Sequence, residues 1–290
     1  MFRRLVIICV VGIIFAWAVN SYAKPEEPIR IAVGSMITPK AGYMYYKQLL
    51  DYIGKKVGKP VKFIDRNTYA EVNNDLKTKN IDVAFVCGRP YTDGHDEFGL
   101  ELLVAPQVNG KTVYHSYIIV RKDGPIKNFK GLQGKTFAFA DPMSNTGKLV
   151  PTYMLVKMGE TPDSFFKRYI YTSAHDRSVE AVASGIVDGA AVDSLIYDYL
   201  AHNTPEITSK TKIIEKSPPY GIPPVVVRRG LDPKLKERIR AILLDAHNDP
   251  EGQKILRGMI IDKFVETYDG AYDSIREMRR VVEESESKKR

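Results

Sequence analysis

Residues 144–147 (Ser-Asn-Thr-Gly) lie between an apolar run and a segment with helical spacing. The apolar run, 136–140, predicts a buried strand, and residues 148–158 predict a helix. The first N–H groups of a helix have no intrahelical acceptor, and the helix dipole adds partial positive charge there. Hydroxyl groups beside those N–H groups suit an oxyanion, although an ordinary helix cap by Ser144 or Thr146 explains the same pattern.

Two further residues, Ser35 and Cys87, also follow strand-like runs. Throughout the chain, short apolar runs such as 29–33 alternate with helical segments such as 41–57, which predicts an α/β fold with mostly parallel sheets. Because parallel sheets bind ligands at the carboxyl ends of their strands, we expect Ser35, Cys87 and Ser144 to meet at one cleft between two lobes.

The N-terminus has the three parts of a secretory signal. Arg3 and Arg4 precede an apolar run over 5–19, and small residues ending at Ala23 form a cleavage site. The run is short for a membrane span, which needs about 20 apolar residues. We expect cleavage after Ala23 and a periplasmic protein; the alternative is an uncleaved membrane anchor.

Cysteine content and charge limit the possible functions. The sequence has two cysteines, Cys9 and Cys87, and cleavage removes the first, so the mature chain has no internal disulfide and depends on its core. Cys87 is either a small buried apolar residue or a ligand-binding thiol. The formal net charge of +8 favours encounter with anions. Aromatic residues do not alternate with Lys and Arg along one stripe, so we expect no nucleic-acid partner.

Catalytic motifs are missing from the sequence. There is no zinc-protease motif, nucleophile elbow or phosphate loop, and the five histidines include no i, i+4 pair for a metal. We therefore expect a binding protein rather than an enzyme, with no cofactor and no metal. The alternative is a hydrolase that uses His175 and Asp176.

Four segments together resemble a known family. They are 141–151 (DPMSNTGKLVP), 173–188 (SAHDRSVEAVASGIVD), 81–91 (IDVAFVCGRPY) and 217–228 (SPPYGIPPVVVR). In order and spacing the chain resembles the phosphate-, phosphite- and phosphonate-binding proteins of ABC transporters. The resemblance implies the type 2 periplasmic binding fold, in which two α/β lobes are joined by a two-strand hinge.

The resemblance also implies a set of ligand-binding residues. In that family a Ser-Thr-Ser turn surrounds the phosphonate oxygens, and a histidine and a tyrosine complete the cage. By position these residues are Ser144, Asn145, Thr146, His175 and Tyr91; we add Gly147, Cys87, Ser35 and Asp193 as further ligand-binding candidates. For Asp193 the alternative is a cap of the following helix.

Two departures from the family pattern concern the ligand. Asn145 replaces a threonine, so an amide replaces a hydroxyl. The predicted loop 85–91 places a thiol, Cys87, and a guanidinium, Arg89, beside Tyr91. Cys87 resembles the cleft thiol of the arsenite-binding periplasmic sensors, since a soft thiolate suits trivalent arsenic.

The predicted organisation has four parts. A signal peptide (1–23) precedes a first lobe (29–120 with 223–280), a second lobe (121–222) and a charged tail (281–290). We expect a monomer that binds a small oxyanion and delivers it to an ABC transporter permease, meeting the membrane only through that partner. The alternative is an oxyanion or arsenite sensor that docks on a membrane sensor kinase.

Overall fold

The computed structural model describes residues 27–34 and 39–288. The predicted signal peptide, 1–23, and Ser35 lie outside these residues. Within the two described ranges, no helix is both long enough and apolar enough to cross a bilayer.

Thirteen strands and eleven α-helices alternate along the described residues. The strands are β1 (Ile29–Val33), β2 (Val61–Ile64), β3 (Val83–Phe85), β4 (Glu101–Gln107), β5 (Val113–Tyr114), β6 (Ser116–Arg121), β7 (Thr136–Phe139), β8 (Arg168–Tyr171), β9 (Gly189–Asp193), β10 (Thr211–Lys216), β11 (Tyr220–Gly221), β12 (Val225–Val227) and β13 (Lys263–Val265). The helices are α1 (Pro39–Val57), α2 (Tyr69–Lys77), α3 (Gly88–Phe98), α4 (Val150–Lys157), α5 (Pro162–Phe165), α6 (His175–Ala183), α7 (Ser194–Asn203), α8 (Pro205–Thr208), α9 (Pro233–Asp245), α10 (Pro250–Gly258) and α11 (Asp273–Ser287).

Two larger sheets form the cores of two lobes. The first sheet has the order β13-β4-β12-β3-β1-β2, and the second has the order β10-β6-β9-β7-β8. In each sheet three strands at one end are parallel, β2-β1-β3 in the first and β8-β7-β9 in the second, and the remaining strands pair antiparallel. Strands such as β12, three buried valines, are covered on both faces, which explains their unbroken apolar sequence. The α/β prediction is confirmed, but the expectation of mostly parallel sheets was wrong, because β12 and β6 run antiparallel to both of their neighbours.

The chain crosses between the lobes twice. The crossing segments contain β5 and β11, which pair with each other as a separate antiparallel ribbon. The sequence analysis placed the first crossing near Val120, with the second lobe starting at residue 121. That boundary was wrong, because β6 already pairs with β9 and β10 and belongs to the second sheet. The second lobe therefore begins at Ser116.

The C-terminal helix differs from the prediction of a charged tail after residue 280. Helix α11 continues to Ser287, since Arg280 forms ion pairs with Glu277 and Glu284 one helical turn away on each side. On its apolar face, Met278 and Val282 pack in a cluster that includes Leu149 and Val150 of the second lobe. The helix is thus part of the packed structure and contacts both lobes.

Candidate functional site

The polar turn at 144–147 is held in an unusual helical form. Residues Asn145–Leu149 form one π-helical turn, in which the N–H of Leu149 donates to the carbonyl of Ser144 at 2.9 Å. Proline at position 151 has no N–H for the Gly147 carbonyl, which instead accepts from the N–H of Ala140 at 3.3 Å. The α-helix therefore begins at Val150 rather than Lys148, and the turn before it projects from the end of β7.

The turn packs closely against Ala140 and His175. A Cβ atom on Gly147 would lie 2.7 Å from the Cβ of Ala140 and 2.9 Å from both the His175 ring and the Ser144 Oγ. The Ser116 hydroxyl also donates to the Thr146 carbonyl at 2.7 Å. Ser144, Asn145 and Thr146 have no solvent exposure. The turn is therefore fully buried and held in place by its neighbours.

His175, the first residue of α6, is a neutral hydrogen-bond donor. Its Nδ1 accepts from the N–H of Asp193 at 3.1 Å, so the ring proton is on Nε2, which lies 3.4 Å from the Ser144 Oγ. Burial lowers the pKa of His175 to about 3. The Ser144 Oγ accepts from Nε2 and from the Gly147 N–H at 3.0 Å, which leaves the hydroxyl proton of Ser144 available to a ligand.

Asp193 lies at the end of β9 and caps α7, with its carboxylate accepting from the N–H of Leu195 at 2.8 Å. The predicted alternative of a helix cap is therefore confirmed. The side chain is also fully buried, and burial raises the pKa of Asp193 to about 7. Near neutral pH the carboxyl group is partly protonated and can donate a hydrogen bond as well as accept one.

Three side chains of the first lobe and the hinge face the turn. The Tyr114 hydroxyl accepts from Asn145 Nδ2 at 3.0 Å and lies 3.5 Å from the Cys87 Sγ. Cys87 packs with Tyr69 and with Met143 of the second lobe. The N–H of Tyr69, at the start of α2, donates to the Asp141 carboxylate at 3.2 Å. These contacts cross the cleft, so the two lobes are closed on each other.

Polar atoms without partners are concentrated here. The Tyr69 hydroxyl, the Thr146 Oγ1 and the Asn145 Oδ1 are buried and have no hydrogen-bond partner among the residues that the structure describes. A buried polar atom without a partner is costly, and here three of them, contributed by both lobes, lie at one closed cleft, which suits a place where another molecule supplies the missing bonds. Hydroxyls, helix N–H groups and a neutral imidazole can together bind an oxyanion without a full counter-charge.

Cationic groups lie beside the turn rather than in it. The Lys148 ammonium lies 4.0 Å from the centre of the Phe139 ring, and its burial lowers the pKa of Lys148 to about 8. Arg89 donates through Nη1 to the Pro142 carbonyl at 3.2 Å and so bridges the lobes. Across the described part of the chain, no group of three His, Cys, Asp or Glu side chains could hold a metal ion.

Most predicted site residues come together, and one does not. Seven of the predicted residues lie close together in the structure: Ser144, Asn145, Thr146 and Gly147 of the turn, and Cys87, His175 and Asp193 around it. Tyr91 has a different role, because its hydroxyl donates to Asp269 at 2.6 Å and its ring packs on Tyr272. Tyr114 and Tyr69 take the tyrosine positions at the turn. Neither tyrosine was predicted as a site residue, since no motif distinguishes them from the tyrosines of the core.

Two closed lobes, a two-strand hinge and a buried polar turn between the lobes define a periplasmic binding protein of type 2. Solved structures agree with this fold. A binding protein of a phosphonate ABC transporter from Pseudomonas aeruginosa superposes with a TM-score of 0.84 at 24% identity, covering 90% of this chain and 88% of that one. PhnD1 of Prochlorococcus marinus in complex with methylphosphonate gives 0.78 at 20% identity, covering 87% and 97%.

Sequence comparison identifies the family. The model of the family described as "ABC transporter, phosphonate, periplasmic substrate-binding protein" matches residues 31–272, and the chain belongs to this family. The phosphonates-binding periplasmic protein of Escherichia coli K12 is 29% identical over 207 residues, which are 70% of this chain. The match spans only 61% of that relative's own length.

The environment of Cys87 predicts an unreactive thiol. The residue is buried, and burial raises the pKa of Cys87, so little thiolate forms near neutral pH. We expect the native protein to resist a maleimide reagent and to react fully in urea. Rapid labelling of the folded protein would contradict this expectation.

Proposed function

We propose that this protein captures a small phosphorus oxyanion of the phosphate, phosphite or phosphonate type between its lobes and delivers it to an ABC transporter permease. The observation that carries the proposal is the set of buried hydroxyl groups at the closed cleft. Tyr69 and Thr146 have no partner for their hydroxyls among the described residues, and the hydroxyl proton of Ser144 is free to donate. The names of the bacterial relatives support the same class of ligand.

We propose that the ligand set consists of Ser144, Asn145, Thr146, His175 and Tyr69, with Gly147 allowing close approach and Asp193 facing the ligand from α7. The contribution of Ser35 stays a prediction. We also propose cleavage after Ala23, a periplasmic location and a monomeric mature protein, because the sequence of the first 23 residues has the pattern of a secretory signal.

The chemistry of His175 supports binding without turnover. A general base works best with a pKa near the operating pH, whereas burial holds the pKa of His175 at about 3. Its Nδ1 accepts from the backbone N–H of Asp193 and so lacks the carboxylate that orients a catalytic histidine. The hydrolase alternative therefore gains no support from this geometry. The arsenite-sensor alternative needs a thiolate, and burial, which raises the pKa of Cys87, disfavours it.

Calorimetric titration of residues 24–290 with phosphate, phosphite, methylphosphonate, sulfate and arsenite tests the function. We expect a phosphorus oxyanion to bind and to raise the melting temperature, since a ligand that binds only the folded state stabilises it. Saturating amounts of all five anions without heat or thermal shift would overturn the proposal.

A matched pair of threonine variants tests the site. Thr146→Val removes a buried hydroxyl with little change in volume, and we expect it to weaken oxyanion binding about ten- to a hundredfold, the usual value of a hydrogen bond to a charged group. Thr152 is equally buried, and its Oγ1 likewise has no partner among the described residues, but it lies within α4 and outside the turn. We therefore expect Thr152→Val to bind like the wild type, which makes it the matched control for the loss of a buried hydroxyl. Equal affinities in both variants would remove Thr146 from the ligand set.

A further inference from the structure

A second feature of the cleft is a cavity of about 300 Å³ between the lobes. Its walls include Tyr46 of α1, Phe85 at the end of β3 and Phe264 of β13 on the first lobe, and Leu195 and Ile196 of α7 on the second. The ring of Phe85 meets those of Tyr46 and Phe264 edge to face, with centroid distances of 5.4 and 6.5 Å. Most of the lining is carbon. Its volume is within the range of pockets that bind small organic ligands.

Asp193 joins this cavity to the polar turn. Asp193 lines the cavity, while its N–H donates to His175, which lies beside the turn. Burial is the main cause of the raised pKa values of Tyr46, which lines the cavity, and of Tyr69 and Tyr114, which face the turn, and the Asp193 carboxylate adds to all three. Asp193 is therefore close to both places, and the cavity adjoins the polar turn at this residue.

Ile260 adds one more apolar residue to the wall of the cavity. It follows the C-terminus of α10 and has a φ of +57°, the left-handed conformation in which many helices end. The N–H groups of Ile260 and Ile261 donate to the carbonyls of Arg257 and Leu256 at 3.2 and 3.0 Å, so the end of the helix fixes the position of Ile260.

We infer that the preferred ligand is a phosphonate with an apolar organic substituent of several carbon atoms, alkyl or aryl, whose oxygens occupy the turn and whose substituent fills the cavity. This inference rests on the proposed function and narrows it. Phosphate, phosphite and methylphosphonate would satisfy the polar turn but leave the aromatic wall without a partner. Each added methylene group that enters the cavity should tighten binding about three- to fourfold.

Titration calorimetry with methylphosphonate, butylphosphonate and phenylphosphonate tests the inference. We expect butylphosphonate to bind on the order of thirtyfold tighter than methylphosphonate, with a more negative heat-capacity change from the apolar surface it buries. Ile260→Trp places a larger side chain in the cavity and should abolish this preference. Ile186→Trp, the same change at an exposed position of the second lobe, should keep the preference.

The outcomes separate this inference from the proposed function. If methylphosphonate binds but the larger phosphonates bind no tighter and show no added heat-capacity change, the inference is overturned and the function stands. If butylphosphonate keeps its advantage in Ile260→Trp, the substituent lies elsewhere and the inference is also overturned. If no phosphorus oxyanion binds, the proposed function fails. The heat-capacity comparison uses the wild-type protein alone, so it decides the matter even if the tryptophan variant does not fold.

Discussion

Gly147→Ala is expected to weaken oxyanion binding about a hundredfold or more. The added methyl group would lie 2.7 Å from the Cβ of Ala140, at the end of β7, and 2.9 Å from the His175 ring and the Ser144 Oγ. Neither the strand nor the buried ring can give way easily, so the turn must move outward. Overpacking of this kind costs about 1–3 kcal/mol in stability. Displacing two donors of one ligand by even a few tenths of an ångström adds a loss of affinity.

The matched control is Gly124→Ala in the same lobe. A Cβ at Gly124 would lie 3.4 Å from the Arg121 carbonyl, an ordinary contact, and this turn lies outside the cleft. We expect wild-type affinity and a melting temperature within a few degrees of wild type. Calorimetry with methylphosphonate and thermal unfolding would be measured on both variants. Wild-type affinity in Gly147→Ala would show that close packing behind the turn does not set the geometry of the site.

The polar turn could be predicted from sequence because its signal is local. An apolar strand, four small residues and a helical segment are consecutive, and hydroxyl groups at a helix start suit an anion wherever they occur. The prediction that His175 belongs to the site came from the family resemblance. In the structure its Nε2 lies 3.4 Å from the Ser144 Oγ. The π-helical turn was not predicted, because it depends on a long-range hydrogen bond. Pro151 has no N–H to donate to the Gly147 carbonyl, so this carbonyl accepts from the N–H of Ala140 instead.

The first-lobe side of the site could not be predicted, because its contacts are long-range. Tyr114 and Asn145 are 31 positions apart, and Tyr69 and Asp141 are 72 apart. No periodicity separates such tyrosines from core residues. The start of helix α3, residues 88–91, was predicted as part of a loop for a related reason. The helix begins with Gly88 and Pro90 and contains Gly94, which are poor helix formers. Long-range contacts stabilise it, since the Asn73 side chain donates to the Pro90 carbonyl and the Tyr91 ring packs on Tyr272.

The prediction of the lobe boundary was wrong because the sequence pattern does not show which sheet a strand joins. Both β5 and β6 fall in one strand-like stretch, 113–121, and the chain passes between them from the hinge ribbon to the second sheet. The pairing of Ser116 with Asp193 places the start of β6 beside the ligand site. The crossing therefore brings Tyr114 to the turn. The boundary was misplaced and Tyr114 was missed for the same reason, namely that the position of this crossing is not visible in the sequence.

Asp193→Asn is expected to stabilise the protein at pH 8 by up to roughly 4 kcal/mol and to have little effect at pH 4. Burial raises the pKa of Asp193 to about 7 in the folded protein, against about 3.9 in an unfolded chain. Between these values the folded state holds a proton that the unfolded state has lost. The free energy of unfolding therefore falls as the pH rises from about 4 to 7, and it is level above that range. Asparagine has no charge to bury.

The substitution isolates the charge, because an asparagine side chain caps a helix about as well as aspartate. His175 contributes a separate slope of opposite sign. Its pKa of about 3 means that the unfolded state takes up a proton first as the pH falls below about 6.5, so stability is lost on acidification. That slope is present in both proteins and cancels in their difference. Asp232→Asn, at an exposed cap where Asp232 accepts from the Leu235 N–H, is the control and should change little at either pH.

Urea unfolding at pH 4, 6 and 8 measures the difference directly. The same charge bears on ligand binding, because an ionised Asp193 beside a bound oxyanion repels it while the protonated carboxyl group can donate to it. The affinity of the wild type for methylphosphonate should therefore decline above about pH 7, and that of Asp193→Asn should decline less. A stability difference that is the same at pH 4 and pH 8 would mean that folding does not retain a proton on Asp193, and the expected pH dependence of binding would fail with it.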